Sequence, residues 1–134
     1  MNLINYNENI NYKEIFLTLT LLPYFNLYLS NYLLKTRIIA LSIFINGILC
    51  HMSSVFNLKY QIYFKYNDII SNFLFIIYVN YFTTYQPNSI IITLLGMEAW
   101  ILNTKCSKTW DYTLKHWIFI QLPGFYVLLN YNCE

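Results

Sequence analysis

From Ile38 to Phe56 the chain runs apolar, interrupted by one ionisable side chain, His51. As a helix, such a run is long enough to cross about 30 Å of hydrocarbon. A histidine at that depth is costly and is usually kept for a function. The rest of the sequence has the same bias. Only 10% of its 134 residues are charged and 57% are hydrophobic, where a soluble domain would carry about 25% charge. The natural reading is one integral membrane domain, residues 1–134. Its expected fold class is all-α, a polytopic transmembrane bundle of about five membrane-embedded helices.

Five apolar stretches support that expectation. The first, Ile15 to Leu34, contains Pro23, Asn26, Ser30 and Asn31. Its polar residues recur at helical spacing, as on a face turned towards partner helices. Lys35 and Arg37 end it. Ile38 to Phe56 is the second. Residues 57–67 then alternate Lys59 and Lys65 with Tyr60, Tyr63, Phe64 and Tyr66. That mixture belongs at headgroup level, where ring and ammonium are both satisfied. The third stretch runs from Asp68 to Thr84 and ends in an expected turn at Gln86-Pro87-Asn88. The fourth, Ser89 to Leu102, contains Glu98. A polar loop over 103–111 leads to the fifth, Tyr112 to Tyr131, with a kink expected at Pro123-Gly124.

Other classes are disfavoured. A net charge of +2, with the basic residues scattered, gives no nucleic-acid surface. Cys50, Cys106 and Cys133 match neither a zinc ribbon nor a CxxC motif. Cys50, inside an apolar run, reads as a small core residue. The polar start lacks the basic region and short apolar core of a cleavable signal peptide, so insertion is expected to use the first apolar stretch.

If all five stretches cross, Lys13, Lys59, Lys65, Lys105, Lys108 and Lys115 share one side, and only Lys35 and Arg37 lie opposite. The positive-inside rule then places the N-terminus on the cytoplasmic-equivalent side of a multi-pass protein. It also sets the depth of the ionisable groups. His51 lies near the basic end of the second stretch, Asp68 starts the third, and Asp111 and His116 start the fifth. Glu98 lies about two thirds of the way down the fourth towards the same side. At about 1.5 Å per residue, His51, Asp68 and His116 are expected within about 10 Å of one another in depth.

Two imidazoles and a carboxylate suit Zn²⁺, with a fourth position for water. Bound zinc brings the pKa of that water to near 7, which makes hydroxide available for hydrolysis. The candidate metal ligands are His51, His116 and Asp68. Asp68 and Asp111 are the candidate catalytic carboxylates, and Glu98 is a further candidate. Each has a plainer explanation. Asp68 and Asp111 stand at segment starts, where a carboxylate caps a helix. His51 can face headgroups or polar backbone. His116, between Lys115 and Trp117, has ordinary interfacial neighbours. Glu98, flanked by apolar residues, is the hardest to explain so.

The segment GILCHM, residues 47–52, followed by Asp68 in YNDIISNFLFIIY, resembles the alkaline ceramidases, the progestin/adiponectin receptors and their relatives. The final segment, WDYTLKHWIFIQLPGFYVLL, resembles the last helix of that superfamily, with His116 at the second position of its HxxxH pair. Tyr112 stands at the first. Gly47 stands where the family has serine, and about five spans replace about seven. The resemblance implies a multi-helix membrane protein, zinc held by histidines, and hydrolysis of an amide or related lipid. Asp111 would substitute for the missing histidine. The chain is thus expected to be a small zinc-dependent membrane hydrolase acting on membrane lipids. The alternative is a non-catalytic structural or accessory membrane protein within a larger membrane complex, organellar or viral. The two differ in whether His51, Asp68 and His116 converge.

Overall fold

A computed structural model describes residues 12–56, 58–82, 87–105 and 110–130. The expected turn at Gln86, Cys106, Cys133 and the two chain ends lie outside them. The described chain is helical, with no strand. Its elements are α1 (Tyr12–Leu19), α2 (Leu22–Leu29), α3 (Leu34–Val55), α4 (Gln61–Phe82), α5 (Pro87–Thr104), α6 (Trp110–His116), a π-helical stretch (Trp117–Gln121) and α7 (Leu122–Asn130).

The first apolar stretch is not one helix. Pro23 has no N–H, and its ring collides with the carbonyl four residues back, at Leu19, where α1 ends. The chain turns at Thr20-Leu21 and restarts as α2. After α2, Ser30 closes the turn by donating its hydroxyl to the Leu27 carbonyl at 2.5 Å. Arg37 then ties α3 back, donating Nε–H to the Tyr28 carbonyl at 2.7 Å with its guanidinium over the Tyr28 ring.

The aromatic and lysine segment also differs from expectation. Residues 61–67 are the opening turns of α4 and not part of a connecting loop. No glycine or proline breaks Gln61 to Phe82, and an unbroken helix satisfies every backbone group internally. Asp68 is therefore well inside a helix and is not its cap. The fifth stretch is continuous from Trp110 to Asn130, and the expected kink takes the form of the π-helical stretch just before Pro123.

Polarity is inverted relative to a soluble bundle. A small apolar core joins Leu21, Tyr24 and Leu27 of α2 to Ile39, Ala40, Val79, Val127 and Leu128. Buried alongside are Glu14, His51, Ser53, Asn103, Thr113 and Gln121. The outside is apolar. On α4, Ile70, Leu74, Ile77 and Tyr81 form a stripe at helical spacing, each more than half exposed. Ile91, Leu94, Leu95 and Leu102 do the same on α5. Among the described residues one helix, α3, is long and apolar enough to cross a membrane.

Candidate functional site

The site begins with the pairing of α1 and α3. These run side by side because position 47 has no side chain, which lets Leu21 pack against α3. Glu14, Leu17 and Leu21 recur at one face of the first segment, and all are buried. That register brings Glu14 to His51. The ring donates Nδ1–H to Glu14 Oε2 at 2.5 Å, with both side chains about nine-tenths buried. A buried hydrogen bond of this kind holds only if both partners stay; removing one leaves the other unsatisfied, which typically costs about 1–3 kcal/mol.

His116 approaches from α6. Its ring meets that of His51 edge-on, 6.1 Å between centroids, and stacks at 23° on Tyr112 one turn earlier. Its Nδ1 is buried without a hydrogen-bond partner among the described residues. A buried polar atom left so is expensive and calls for an explanation. α1 steers this helix too, since Phe16 packs edge-on against both Trp110 and Trp117.

α4 supplies the third wall. Asp68 accepts a hydrogen bond from Asn72 Nδ2 at 3.1 Å and lies within electrostatic reach of His51. His51, Asp68, Asn72 and His116 line the polar end of one cavity of about 170 Å³. Its other end is apolar, lined by Ile39, Ile43, Val79, Val127 and Leu128. Tyr24 sits between the ends and donates its hydroxyl to the Gln121 carbonyl at 2.9 Å. At the apolar end, Asn80 Nδ2 donates to Thr93 Oγ1 at 3.0 Å and ties α4 to α5.

The other two sequence candidates lie elsewhere, for reasons of helical phase. Asp111 is five residues before His116, which is about 140° around the helix. It is exposed and pairs with Lys115 at 2.9 Å, away from the cavity. Glu98 is displaced by a similar angle from Thr93, Gly96 and Trp100, which face the cavity. It sits exposed on the apolar outer face of α5. Conversely, Glu14 and Asn72 were absent from the sequence candidates. Glu14 had a readable signal, its spacing to Leu17 and Leu21.

The chain matches no family model, no curated protein and no solved structure.

The donors fit zinc in kind: two imidazoles, one with an unpartnered buried nitrogen, and a carboxylate on the same cavity. As placed, no group of three His, Cys, Asp or Glu among the described residues is close enough together to hold a metal. What the arrangement does offer is a polar pocket of ionisable groups at the end of an apolar chamber.

Proposed function

We propose that this chain is a small multi-pass membrane protein that hydrolyses a lipid, of amide or related type, with a metal at His51, His116 and Asp68. The observation that carries the reading is that those three side chains, from three different helices, line one cavity. The apolar outer stripes of α4 and α5 support the membrane setting, since apolar faces of that length rarely stay exposed to water. Lysine placement supports the cytoplasmic-equivalent side for the polar end of the cavity.

In this reading His51 and His116 would hold the ion, and zinc is the metal that suits them. A bound zinc would supply hydroxide near neutral pH. Asp68, steadied by Asn72, would serve as the third ligand or orient the bound water. The apolar end takes a hydrocarbon chain, which places a polar linkage beside the histidines. Ile39, Ile43 and Val79 exclude bulk water from that chain.

The second reading is a non-catalytic accessory subunit, and Glu98 favours it. A carboxylate on an apolar outer face is the kind of group that a neighbouring subunit in a larger membrane complex would pair. The two readings differ over metal. Under the first, zinc raises the melting temperature of purified protein in detergent, by about 2.7 kcal/mol of stability at a hundredfold excess over its Kd. A chelator reverses the gain, and His116→Ala abolishes it. A wild-type melting curve unmoved by zinc well above micromolar concentration leaves the accessory reading standing.

A further inference from the structure

We infer that Glu14 is the positioning residue of this site: its carboxylate fixes the tautomer of His51 and aims the free Nε2 lone pair into the cavity. The proposal deepens the reading above and rests on it for the metal, but its geometric part stands alone.

Three observations carry it. First, the bond is short and buried. His51 Nδ1 and Glu14 Oε2 are 2.5 Å apart, on side chains only 10% and 11% exposed. A neutral imidazole has one N–H, and the nitrogen that bears it is chosen by the stronger acceptor nearby. Glu14 is the carboxylate in hydrogen-bond contact with the ring, while Asp68 is engaged by Asn72, so the proton stays on Nδ1. Nε2 is then unprotonated, on the ring edge away from α1. Second, the ring stands among the groups that would use that nitrogen. The His51 ring lines the cavity with Asp68, and the His116 ring stands edge-on to it. Third, Glu14 sits on a helix that packs against both histidine-bearing helices. Leu21 fits against Gly47 of α3, and Phe16 packs on Trp110 and Trp117, which flank His116 in sequence. α1 is thus a brace between the two rings, and Glu14 is its polar contact with the site.

The role matches a general pattern. A ligating histidine almost always donates its second N–H to a carboxylate or carbonyl, which sets ring orientation and raises ligand basicity. Losing that partner typically lowers metal affinity about 10–100-fold. Glu14 is a positioning residue, acting on the site through its hydrogen bond to His51.

The test is ¹⁵N NMR of histidine-labelled full-length protein in detergent at mildly alkaline pH, with the His51 signals assigned by their loss in His51→Asn. Wild type should show a single tautomer for His51, with Nδ1 protonated and Nε2 bare. Glu14→Gln keeps the size of the side chain, but its amide can either accept or donate. His51 should then become a mixture of tautomers while His116 is unchanged. In parallel, zinc affinity should fall about 10–100-fold in Glu14→Gln. An Nε2–H tautomer or a cationic ring in wild type overturns the proposal. So does a Glu14→Gln spectrum identical to wild type, even if the variant melts lower, because that outcome leaves Glu14 a purely structural brace. If wild type binds no zinc, the hydrolase reading fails, and the tautomer signals still decide the role of Glu14.

Discussion

At position 47 a side chain would have no room: a Cβ there would lie 2.5 Å from Leu21 Cδ1. Leu21 is only 3% exposed and cannot swing away freely. Gly47→Val should therefore destabilise the fold by about 1–3 kcal/mol, as overpacking does. Gly47→Ala should cost less, because alanine recovers about 1 kcal/mol of helix propensity. Denaturant titration in detergent checks both, and equal stabilities for valine and glycine would contradict the contact. Gly47 lies one turn before His51, so the same contact sets the height of Glu14 beside the histidine. Asp111 is the converse case. Its pair with Lys115 is exposed, and such pairs contribute about 0.3–0.5 kcal/mol. Asp111→Asn should leave stability within that margin and leave any zinc response intact. At this scale the sequence was half legible. A histidine in an apolar run announces itself by cost, as does Asp68 once its depth is known. The partner of His51 does not, because Glu14 lies on another element and reaches it only after Pro23 has broken the first stretch.

The π-helical stretch is where an element, not a residue, builds the site. It holds one residue more than the α-helical turn it replaces, so Leu122 donates its N–H to the Trp117 carbonyl. Its place just before Pro123 follows from chemistry, since proline offers no N–H to the carbonyl of Phe119. The consequence is one of phase. In a pure α-helix His116 and Gly124 would differ by about 80°. With one surplus residue the same span turns through about 700°, within about 20° of two full turns. Both residues then face the cavity, where Gly124 leaves room for the Tyr24 hydroxyl. Deleting the exposed Ile118 should turn the stretch into α-helix and leave both flanks in phase. Inserting one alanine there should rotate His116 by about 100°. The ¹⁵N signals of His116 report the difference: little change for the deletion, a large one for the insertion. Equal effects from the two would refute the phase argument. The proline and its likelihood of disturbing the helix were legible in the sequence; the form of the disturbance was not, because kink and surplus turn both satisfy a missing N–H.

At the scale of the whole molecule the governing fact is the inversion of polarity, with Glu14, His51 and Gln121 inside and leucine and isoleucine stripes outside. Composition pointed to a membrane setting, because so low a charge leaves little polar surface to cover a soluble bundle. It did not reveal which helices cross. α3 alone has the length and apolarity by itself, and α4 and α5 must be judged by the faces they turn outward. Their stripes decide the expectation. Tyr32 precedes α3, Tyr60 follows it, and Lys105 lies past both α4 and α5. If α3, α4 and α5 all cross, Tyr60 and Lys105 are on one side of the membrane and Tyr32 is on the other. Lysine placement makes the shared side the cytoplasmic-equivalent one. Single cysteines at 32, 60 and 105, in a chain otherwise free of cysteine, can be labelled in sealed vesicles with an impermeant thiol reagent. Position 32 should react from the face opposite to 60 and 105. If 60 and 105 react from opposite faces, then either α4 or α5 fails to cross. The cavity between α3, α4 and α6 would then open partly to water, which would remove the low-dielectric setting that a bare Nε2 beside Asp68 and His116 requires.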